Sequence, residues 1–199
     1  MQNGDSAQAD TSRGYDALAS EFARRRDPVI GVGQVRNWAH DLPRGAAVLD
    51  LGCGHGVPIS QALIDDGFEV HAIDASPAMV AMYRERFPTT TVACEPVEES
   101  SFFGRTFDAA IAWGLLFLLE RDIQVKLIHS VAAALAPGGR FLFTAPEQEC
   151  SWTDVLTGRP SISLGAEAYL AALEAAGMTL VAEADDDAGN HYYQARRKR

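Results

Sequence analysis

The chain alternates between two patterns of hydrophobic and polar positions. Between strands, apolar side chains recur three or four positions apart, as at Ile59, Ala62 and Leu63, which predicts amphipathic helices. Strands that alternate with helices in this way predict a parallel sheet with helices on both of its faces. The short apolar runs that predict buried strands lie at residues 47–51, 68–73, 90–94, 107–112 and 140–144.

The last third of the chain departs from this alternation. A helical pattern covers about residues 166–176, and two further strand patterns follow at about 179–184 and 191–195. Only residues 185–190 join these two strands, and a parallel crossover needs a longer connection, so the pair is predicted to be antiparallel. The predicted fold is therefore an α/β, doubly wound sheet of seven strands, mostly parallel, with an antiparallel C-terminal hairpin.

The sequence predicts one domain with a distinct N-terminal part. Residues 1–14 are small and polar, which predicts a flexible segment. Residues 15–43 carry two helical patterns and form the predicted helical cap, whereas residues 44–146 form the predicted cofactor-binding core. Residues 147–199 supply the C-terminal helix and hairpin, so we expect a single domain over residues 15–199.

The strongest chemical signal follows the first predicted strand. Gly52, Gly54 and Gly56 stand at alternate positions, and glycine lets a backbone turn sharply beside a ligand because it has no Cβ. Asp74 ends the second predicted strand, where a carboxylate can accept hydrogen bonds from two ribose hydroxyls. A dinucleotide-binding loop would place its third glycine one residue later, where this chain has Val57. The pattern therefore predicts a small molecule that carries a nucleoside, held at the edge of a parallel sheet.

Further motifs extend this pattern along the chain. Phe107-Asp108 stands at the fourth predicted strand, and the run Leu-Ala-Pro-Gly-Gly-Arg at 135–140 precedes the fifth. Together with the glycine triplet and Asp74, these motifs resemble the class I S-adenosylmethionine-dependent methyltransferases over residues 44–146. The resemblance implies a Rossmann-like sheet, S-adenosyl-L-methionine as the cofactor, and transfer of the cofactor's methyl group.

The resemblance also implies roles for the residues around the glycine loop. The backbone of Gly52, Cys53 and Gly54 is expected to pass under the methionine part of the cofactor. Asp50 is expected to anchor either this loop or the amino group of the cofactor. Asp74 is expected to bind the ribose hydroxyls.

Residues after the second and third strands are expected to contact the adenosine part. Ala75 directly follows the ribose-binding acid, and Met79 packs either on the adenine or only on the core. Members of the family often have an acid at the position of Pro96, which proline cannot replace as a hydrogen-bonding group. Recognition of the adenine edge would then rest on the Val97 N–H and on Glu98.

Methyl transfer from a sulfonium needs a dry cavity more than it needs acid–base groups. The positive charge on sulfur disappears as the bond breaks, so an apolar environment favours the transition state. Tyr15 and Trp113 are predicted to contact the cofactor from the cavity wall. The other predicted wall residues are Leu115, Phe117 and Trp152.

A general base is needed only if the acceptor must lose a proton before it is methylated. The candidates are His191, Glu147 and His55. His191 is the predicted catalytic residue, because its antiparallel strand begins at the edge of the sheet where the parallel strands end. The alternative is a surface histidine of the hairpin.

Composition narrows the class of partner. The net charge of −10 disfavours binding to nucleic acid, whose phosphates attract basic surfaces. No apolar run approaches the length of a membrane span, and the first residues do not read as a signal sequence. Three cysteines without metal-ligand spacing favour a reducing, cytoplasmic location and no metal site. We expect a small organic acceptor, and the sequence leaves the oligomeric state open.

Three hypotheses for the function follow from the sequence. The leading hypothesis is a methyltransferase that moves a methyl group from S-adenosylmethionine to a small organic acceptor by in-line displacement. A nicotinamide-dependent oxidoreductase would share the parallel sheet and Asp74, although Val57 argues against it. The third is a non-catalytic S-adenosylmethionine-binding protein, because the sequence offers no strong candidate for a base.

Overall fold

The computed structural model describes residues 10–199 of the chain. In chain order, its strands are Ala47–Leu51 (β1), Glu69–Asp74 (β2), Thr91–Cys94 (β3), Phe107–Ala112 (β4), Leu135–Thr144 (β5), Cys150–Thr153 (β6), Pro160–Ser163 (β7), Met178–Asp185 (β8) and His191–Arg197 (β9). The α-helices are Ala19–Arg25 (α1), Val32–Ala39 (α2), Ile59–Asp65 (α3), Pro77–Arg86 (α4), Arg121–Ala134 (α5) and Ala166–Ala175 (α6). Short 3-10 helices cover Phe102–Gly104 and Leu116–Leu118.

The main sheet has seven strands in the order β3-β2-β1-β4-β5-β9-β8. Strands β1 to β5 pair in parallel, whereas β9 is antiparallel to both β5 and β8. The predicted seven-stranded, mostly parallel sheet with an antiparallel C-terminal hairpin is confirmed. Strand order reverses direction beside β1, and in open α/β sheets such a switch point leaves a crevice at the carboxyl ends of the strands.

The sheet buries apolar side chains on both of its faces. On β1, Val48 packs in one buried cluster, whereas Leu49 and Leu51 pack in the other. Helices α2 and α3 cover the Val48 face, and α5 and α6 cover the opposite face. Successive side chains of a strand point to opposite faces, so a strand covered on both sides is apolar almost throughout. This explains why continuous apolar runs marked the parallel strands in the sequence.

Strand β5 begins earlier than predicted, because it carries an irregular first part. Its first residue, Leu135, pairs with Phe107, and the register shifts before the next pairs form. A Cβ added to Gly139 in this part would lie 2.9 Å from the carbonyl oxygen of Ala136. Such an irregularity bends the strand locally and leaves no periodic pattern in the sequence.

The C-terminal third contains a β-hairpin that the sequence analysis missed. Strands β6 and β7 pair with each other in a separate two-stranded sheet, with Trp152 opposite Ser161. Each strand has four residues, which is too short for the alternation of apolar and polar positions to stand out.

The N-terminal cap begins with turns rather than with a helix. Turns cover residues 11–18, and α1 starts only at Ala19, so Tyr15 precedes the helix that was predicted to contain it. The predicted flexible segment 1–14 lies partly outside the described residues, and its flexibility stays a prediction.

Candidate functional site

A cavity opens at the carboxyl ends of the parallel strands, at the switch point beside β1. The turns after β1, β2 and β4 line it, together with residues of the N-terminal segment and of the β6–β7 hairpin. The residues predicted to contact a cofactor all line this one cavity: Tyr15, Asp50, Gly52, Cys53, Gly54, Asp74, Ala75, Met79, Val97, Glu98 and Trp113. Their contact with a ligand stays a prediction, but the structure brings them together from the positions that the sequence indicated.

The loop after β1 is fastened to the end of β2 through its backbone. The N–H groups of Gly52 and Cys53 both donate to the carbonyl oxygen of Ile73, at 2.8 and 3.0 Å. Gly52 and Gly54 have φ angles of 68° and 56°, a left-handed conformation that glycine adopts without a steric penalty. The loop therefore presents backbone rather than side chains to the cavity.

The third glycine of the loop serves packing. A Cβ added to Gly56 would lie 2.5 Å from a ring carbon of Phe87 and 2.9 Å from the ring of Tyr83. Only a residue without a side chain lets these two aromatic rings approach the loop so closely.

Asp74 ends β2 and ties the glycine loop to the start of α4. One carboxylate oxygen accepts a hydrogen bond from the Gly54 N–H and the other from the Ser76 N–H, both at 2.8 Å. Each oxygen has a further lone pair, so the carboxylate can accept two more hydrogen bonds. Burial raises the pKa of Asp74, and the two N–H donors partly counter this by stabilising the charged form. This donor and acceptor arrangement fits the paired hydroxyls of a ribose.

Asp50 is the buried acid beneath the same loop. Asp50 is 2% exposed, and the hydroxyl of Ser60 donates a hydrogen bond to the Asp50 carboxylate. Burial raises the pKa of Asp50 to about 7, because the charged form is poorly solvated there. A cationic group bound beside Asp50 would lower that pKa again, so the position suits a ligand with positive charge.

The side of the cavity beyond Asp74 is mainly apolar. Met79 on α4 is 2% exposed and Val97 is 6% exposed, yet both contribute to the lining. Pro96 and Glu98 complete this surface. It offers flat apolar contact beside one carboxylate, which suits a purine base.

The N-terminal segment closes the opposite side through contacts with two distant elements. The Tyr15 hydroxyl donates to Asp154 in the β6–β7 turn at 3.1 Å, and Asp10 forms an ion pair with Arg159 at 2.7 Å. Asp16 accepts hydrogen bonds from the N-terminal end of α4 at 2.7 and 2.8 Å. The sequence analysis placed Tyr15 in the cavity wall but missed these contacts, because their partners meet only in the folded chain.

Trp113 forms the cavity wall after β4. Its indole N–H donates to the Tyr192 hydroxyl at 2.9 Å, and that hydroxyl donates to Asp186 at 2.7 Å. The guanidinium carbon of Arg26 lies 4.2 Å from the Trp113 ring centroid and 5.0 Å from the Phe22 ring centroid. The sequence analysis missed Arg26, although its four-residue spacing from Phe22 places the two on one side of a helical turn.

His191 does not line the cavity, although it is the predicted catalytic residue. Its Nδ1 lies 2.8 Å from an Asp185 carboxylate oxygen and its Nε2 lies 3.3 Å from Glu183. Its ring packs edge-on against Tyr193, with centroids 4.7 Å apart. Strand β9 does begin at the expected edge, but it is Asn190, just before the strand, that lines the cavity. The prediction located the backbone and could not determine which way this side chain points.

The other candidate bases also lie outside the lining. His55 is buried, and burial lowers its pKa to about 4, whereas Glu147 is not among the lining residues. Trp152, a predicted wall residue, packs against Phe117 with ring centroids 5.3 Å apart, and only Phe117 of the two lines the cavity. Leu115 lines it as predicted.

Two further features are absent from the described part of the chain. Residues 10–199 contain no group of three His, Cys, Asp or Glu side chains arranged to hold a metal ion. None of the helices in this range combines the length and apolar character that a membrane span needs.

Comparison with known protein families identifies the segment that forms much of this cavity. Residues 48–139, which carry the glycine loop, Asp74 and the strand β4, match the family described as “Methyltransferase domain”. Residues 48–139 carry the methyltransferase domain that the glycine loop and Asp74 indicated. The predicted family is thereby confirmed, and the predicted cofactor agrees with it.

Curated relatives of this chain match over part of their length. The cypemycin N-terminal methyltransferase of a Streptomyces species is 37% identical over 128 residues, covering 63% of this chain and 50% of the relative. The demethylmenaquinone methyltransferase of Paenarthrobacter aurescens is 30% identical over 135 residues, covering 64% of this chain and 51% of the relative. The chain spans about half the length of the curated relatives it matches.

Solved structures share the fold of this chain over almost its whole length. The 1,6-didemethyltoxoflavin-N1-methyltransferase of Burkholderia thailandensis matches with a TM-score of 0.74 at 21% identity, covering 93% of this chain and 84% of its own. The [4+2]-cyclase SpnF matches with a TM-score of 0.76 at 19% identity, covering 96% of this chain and 97% of its own. A cyclase and a methyltransferase thus share this fold, so the fold alone does not fix the reaction.

Proposed function

We propose that this methyltransferase binds S-adenosyl-L-methionine in the cavity and transfers the methyl group in line to a small organic acceptor. The observation that carries the proposal is the meeting of the Gly52–Gly54 backbone, the Asp74 carboxylate and the apolar Met79 surface at one edge of the sheet. The match of residues 48–139 to the methyltransferase family supports the same cofactor.

The residues that would hold the cofactor follow from the chemistry of the lining. Asp74 would accept hydrogen bonds from the ribose hydroxyls, and Met79 with Val97 would pack on the adenine. The backbone at Gly52–Gly54 would accommodate the methionine part, with Asp50 as the acid near its positive charges. When bound, S-adenosylmethionine supplies a methyl group activated on a sulfonium.

The remaining residues of the cavity orient the acceptor and exclude water. Tyr15, Trp113, Leu115 and Phe117 form a wall that is largely apolar. An apolar wall destabilises the charged sulfonium of the ground state more than it destabilises the transition state, in which that charge is being lost. Alignment of the two reacting groups supplies the rest of the rate enhancement.

The side chains on the acceptor side are poorly suited to remove a proton. Burial and the neighbouring Asp154 raise the pKa of Tyr15, so its hydroxyl keeps its proton and donates a hydrogen bond to that carboxylate. Asp154 already accepts hydrogen bonds from the N–H and hydroxyl of Thr157 at 2.7 and 2.8 Å, and its pKa is lowered despite partial burial. A weak base of this kind does not deprotonate an alcohol.

We therefore propose that the acceptor atom is the nitrogen of a neutral amine. Its lone pair forms the N–C bond while the C–S bond breaks, sulfur becomes a neutral thioether, and the surplus proton on nitrogen is released to water. The printed name of the cypemycin relative, an N-terminal methyltransferase, supports an amine acceptor.

Calorimetric titration and a transfer assay test the proposal together. We expect heat of binding with both S-adenosylmethionine and S-adenosylhomocysteine, and transfer of labelled methyl to a short peptide or small molecule with a free amine, but not to its N-acetylated form. No binding of either compound would overturn the proposal. Quenching of reduced nicotinamide fluorescence would favour the oxidoreductase, and binding without transfer to any component of a cell extract would favour the non-catalytic alternative.

A further inference from the structure

Asn190 lines the cavity from a strand that is remote from the glycine loop. It directly precedes β9, and the order β1-β4-β5-β9 within the sheet places that strand three positions away from β1. Neighbouring strands lie about 4.8 Å apart, so β9 is roughly 14 Å from β1. Asn190 therefore belongs to the acceptor side of the cavity and not to the side that the Gly52–Gly54 loop forms.

Three of the four hydrogen-bonding groups of Asn190 are bound to a single residue, Asp186. The backbone N–H and the side-chain Nδ2 of Asn190 donate to the Asp186 carboxylate at 2.9 and 2.8 Å. The backbone carbonyl oxygen of Asn190 accepts from the Asp186 N–H at 3.0 Å. Within residues 10–199, the side-chain Oδ1 of Asn190 is left without a hydrogen-bond partner. The unused group is an amide oxygen, which accepts hydrogen bonds and cannot donate them.

The Asp186 carboxylate determines which way the Asn190 amide points. The Tyr192 hydroxyl also donates to this carboxylate, at 2.7 Å. Burial alone would raise the pKa of Asp186, but the hydrogen bonds from Asn190 and Tyr192 lower it below its ordinary value. Asp186 is therefore ionised near neutral pH, and an ionised carboxylate only accepts hydrogen bonds. The NH₂ group of the amide has to face Asp186, which leaves Oδ1 for the cavity that Asn190 lines.

The same hydrogen bonds connect Asn190 to a second wall residue, Trp113. The Trp113 indole N–H donates to the Tyr192 hydroxyl at 2.9 Å, and that hydroxyl donates to Asp186. Tyr192 is fully buried and Trp113 is 7% exposed, so these contacts are shielded from water. They hold the Asn190 amide oxygen in a fixed position relative to the flat apolar face of Trp113. A dipole that is already oriented needs no rearrangement when charge develops beside it.

We propose that Asn190 binds the methyl acceptor, because its Oδ1 can accept a hydrogen bond from an N–H of the amine that is methylated. The inference rests on the proposed function and narrows it to amines with at least one hydrogen on nitrogen. As the nitrogen lone pair forms the N–C bond, the electron pair of the C–S bond moves to sulfur and the nitrogen becomes positively charged. The N–H is then a stronger donor, so its hydrogen bond to Oδ1 stabilises the transition state more than the ground state. The surplus proton passes to water afterwards, since an amide oxygen is not a base at this pH.

Two probes of the same shape test this contact in the protein saturated with S-adenosylhomocysteine. Aniline carries N–H donors and stays uncharged near neutral pH, whereas toluene has a methyl group in place of the amino group. Both are titrated into the wild-type protein and Asn190→Ala and observed by ligand-detected NMR. Asn37→Ala is the matched control, because Asn37 is exposed and does not line the cavity. We expect Asn190→Ala to weaken aniline binding by roughly fivefold to tenfold and to leave toluene within roughly twofold, with Asn37→Ala like the wild-type protein.

Asn190→Ser separates the contact with the amine from the structure of the turn. Its hydroxyl can still donate to Asp186, whereas the amide oxygen is gone, so it should lose aniline binding to a similar extent. Thermal melting verifies that each variant is folded, and Asn190→Ser replaces Asn190→Ala if the latter is unfolded. Unchanged aniline binding, equal weakening of both probes, or no aniline binding by the wild-type protein would each overturn the inference.

A titration with S-adenosylmethionine distinguishes the methyl acceptor from the cofactor as the partner of Oδ1. The wild-type protein and Asn190→Ala should bind the cofactor with affinities within roughly twofold of each other. A loss of cofactor affinity as large as the loss for aniline would assign Oδ1 to the ammonium group of the cofactor and overturn the inference. If the wild-type protein does not bind S-adenosylmethionine, the proposed function fails. If it binds the cofactor and Asn190→Ala does not discriminate between the probes, only the inference about Asn190 fails.

Discussion

The two sides of the cavity are built in different ways. On the cofactor side, neighbouring parallel strands end side by side, and backbone groups of Gly52, Cys53 and Gly54 bond directly to the end of β2. On the acceptor side, the N-terminal segment meets the β6–β7 turn through side chains such as Tyr15 and Asp154, which are 139 residues apart in sequence.

This contrast separates what holds the fold from what shapes the acceptor. The cofactor side is continuous with the core, so changes there should reduce both stability and cofactor affinity. The acceptor side is held by partly exposed side-chain contacts, each of which contributes little to the free energy of unfolding. We expect changes there to leave the affinity for S-adenosylmethionine almost unaltered.

The largest effect is expected from Gly56→Ala on the cofactor side. The added Cβ would meet the Phe87 and Tyr83 rings at a φ of 86°, and overpacking together with backbone strain should cost roughly 3 kcal/mol of unfolding free energy. Thermal melting should then fall by roughly 6–12 °C for a chain of this size. Gly67→Ala is the matched control, because Gly67 has the same φ of 86° and nothing within 4 Å of the added Cβ. Equal losses in both variants would contradict the packing role of Gly56.

Asp74→Asn should cause the next largest effect, on affinity. The substitution removes the charge and one acceptor from the group expected to bind the ribose, which should weaken S-adenosylhomocysteine binding by roughly 30-fold, or about 2 kcal/mol. Calorimetry measures this directly. Asp154→Asn, on the acceptor side, is the comparison, and an equal loss of affinity there would remove the distinction between the two sides.

A pH dependence should arise from Asp50. The pKa of this acid is raised to about 7 in the unliganded protein, so it is increasingly protonated as the pH falls below that value. The carboxylate form attracts a cationic ligand, so affinity for S-adenosylmethionine should rise by roughly tenfold from pH 6 to pH 8. In Asp50→Asn, this contribution to the pH dependence should be absent.

Asp50 should also make the stability of the folded protein depend on pH. Stability should fall as the pH rises, whereas the affinity for S-adenosylmethionine should increase. Because its folded pKa lies above the ordinary value of 3.8, Asp50 favours the folded state most at low pH, and this contribution is lost as the pH rises through about 7. The melting temperature of the wild-type protein should therefore fall relative to that of Asp50→Asn between pH 5 and pH 8. The size of this fall is set by the spacing between the pKa values of Asp50 in the folded and unfolded states. A constant difference across this range would show that Asp50 is already ionised.

The smallest effect is expected from Tyr15→Phe on the acceptor side. The lost hydrogen bond to Asp154 should cost roughly 1 kcal/mol and leave cofactor affinity within roughly twofold. Amide hydrogen exchange of residues 10–18 should become faster, since their tie to the β6–β7 turn is weakened. The double variant with Asp154→Asn should show little further change, because both substitutions remove the same bond. Fully additive exchange rates would show that the two residues act separately.

The residues of the cofactor side were predictable for a simple geometric reason. Carboxyl ends of parallel strands share one edge of the sheet, so residues that directly follow β1, β2 and β4 must lie near one another. Asp74 and Trp113, which follow from this rule, line the same cavity. The same rule located the start of β9 but not the direction of His191, which depends on the exact residue at which the strand's alternation begins.

The sequence alone determined the order of strands and helices, the sheet that they form and the glycine loop that marks the family, because these depend on local periodicity and on residues with special backbone freedom. Tertiary structure alone decided which polar groups face the cavity from afar. The pairing of Tyr15 with Asp154 and the placement of Arg26 against Trp113 join segments that are remote in sequence. Such contacts form only when the whole chain has packed, and no local pattern records them.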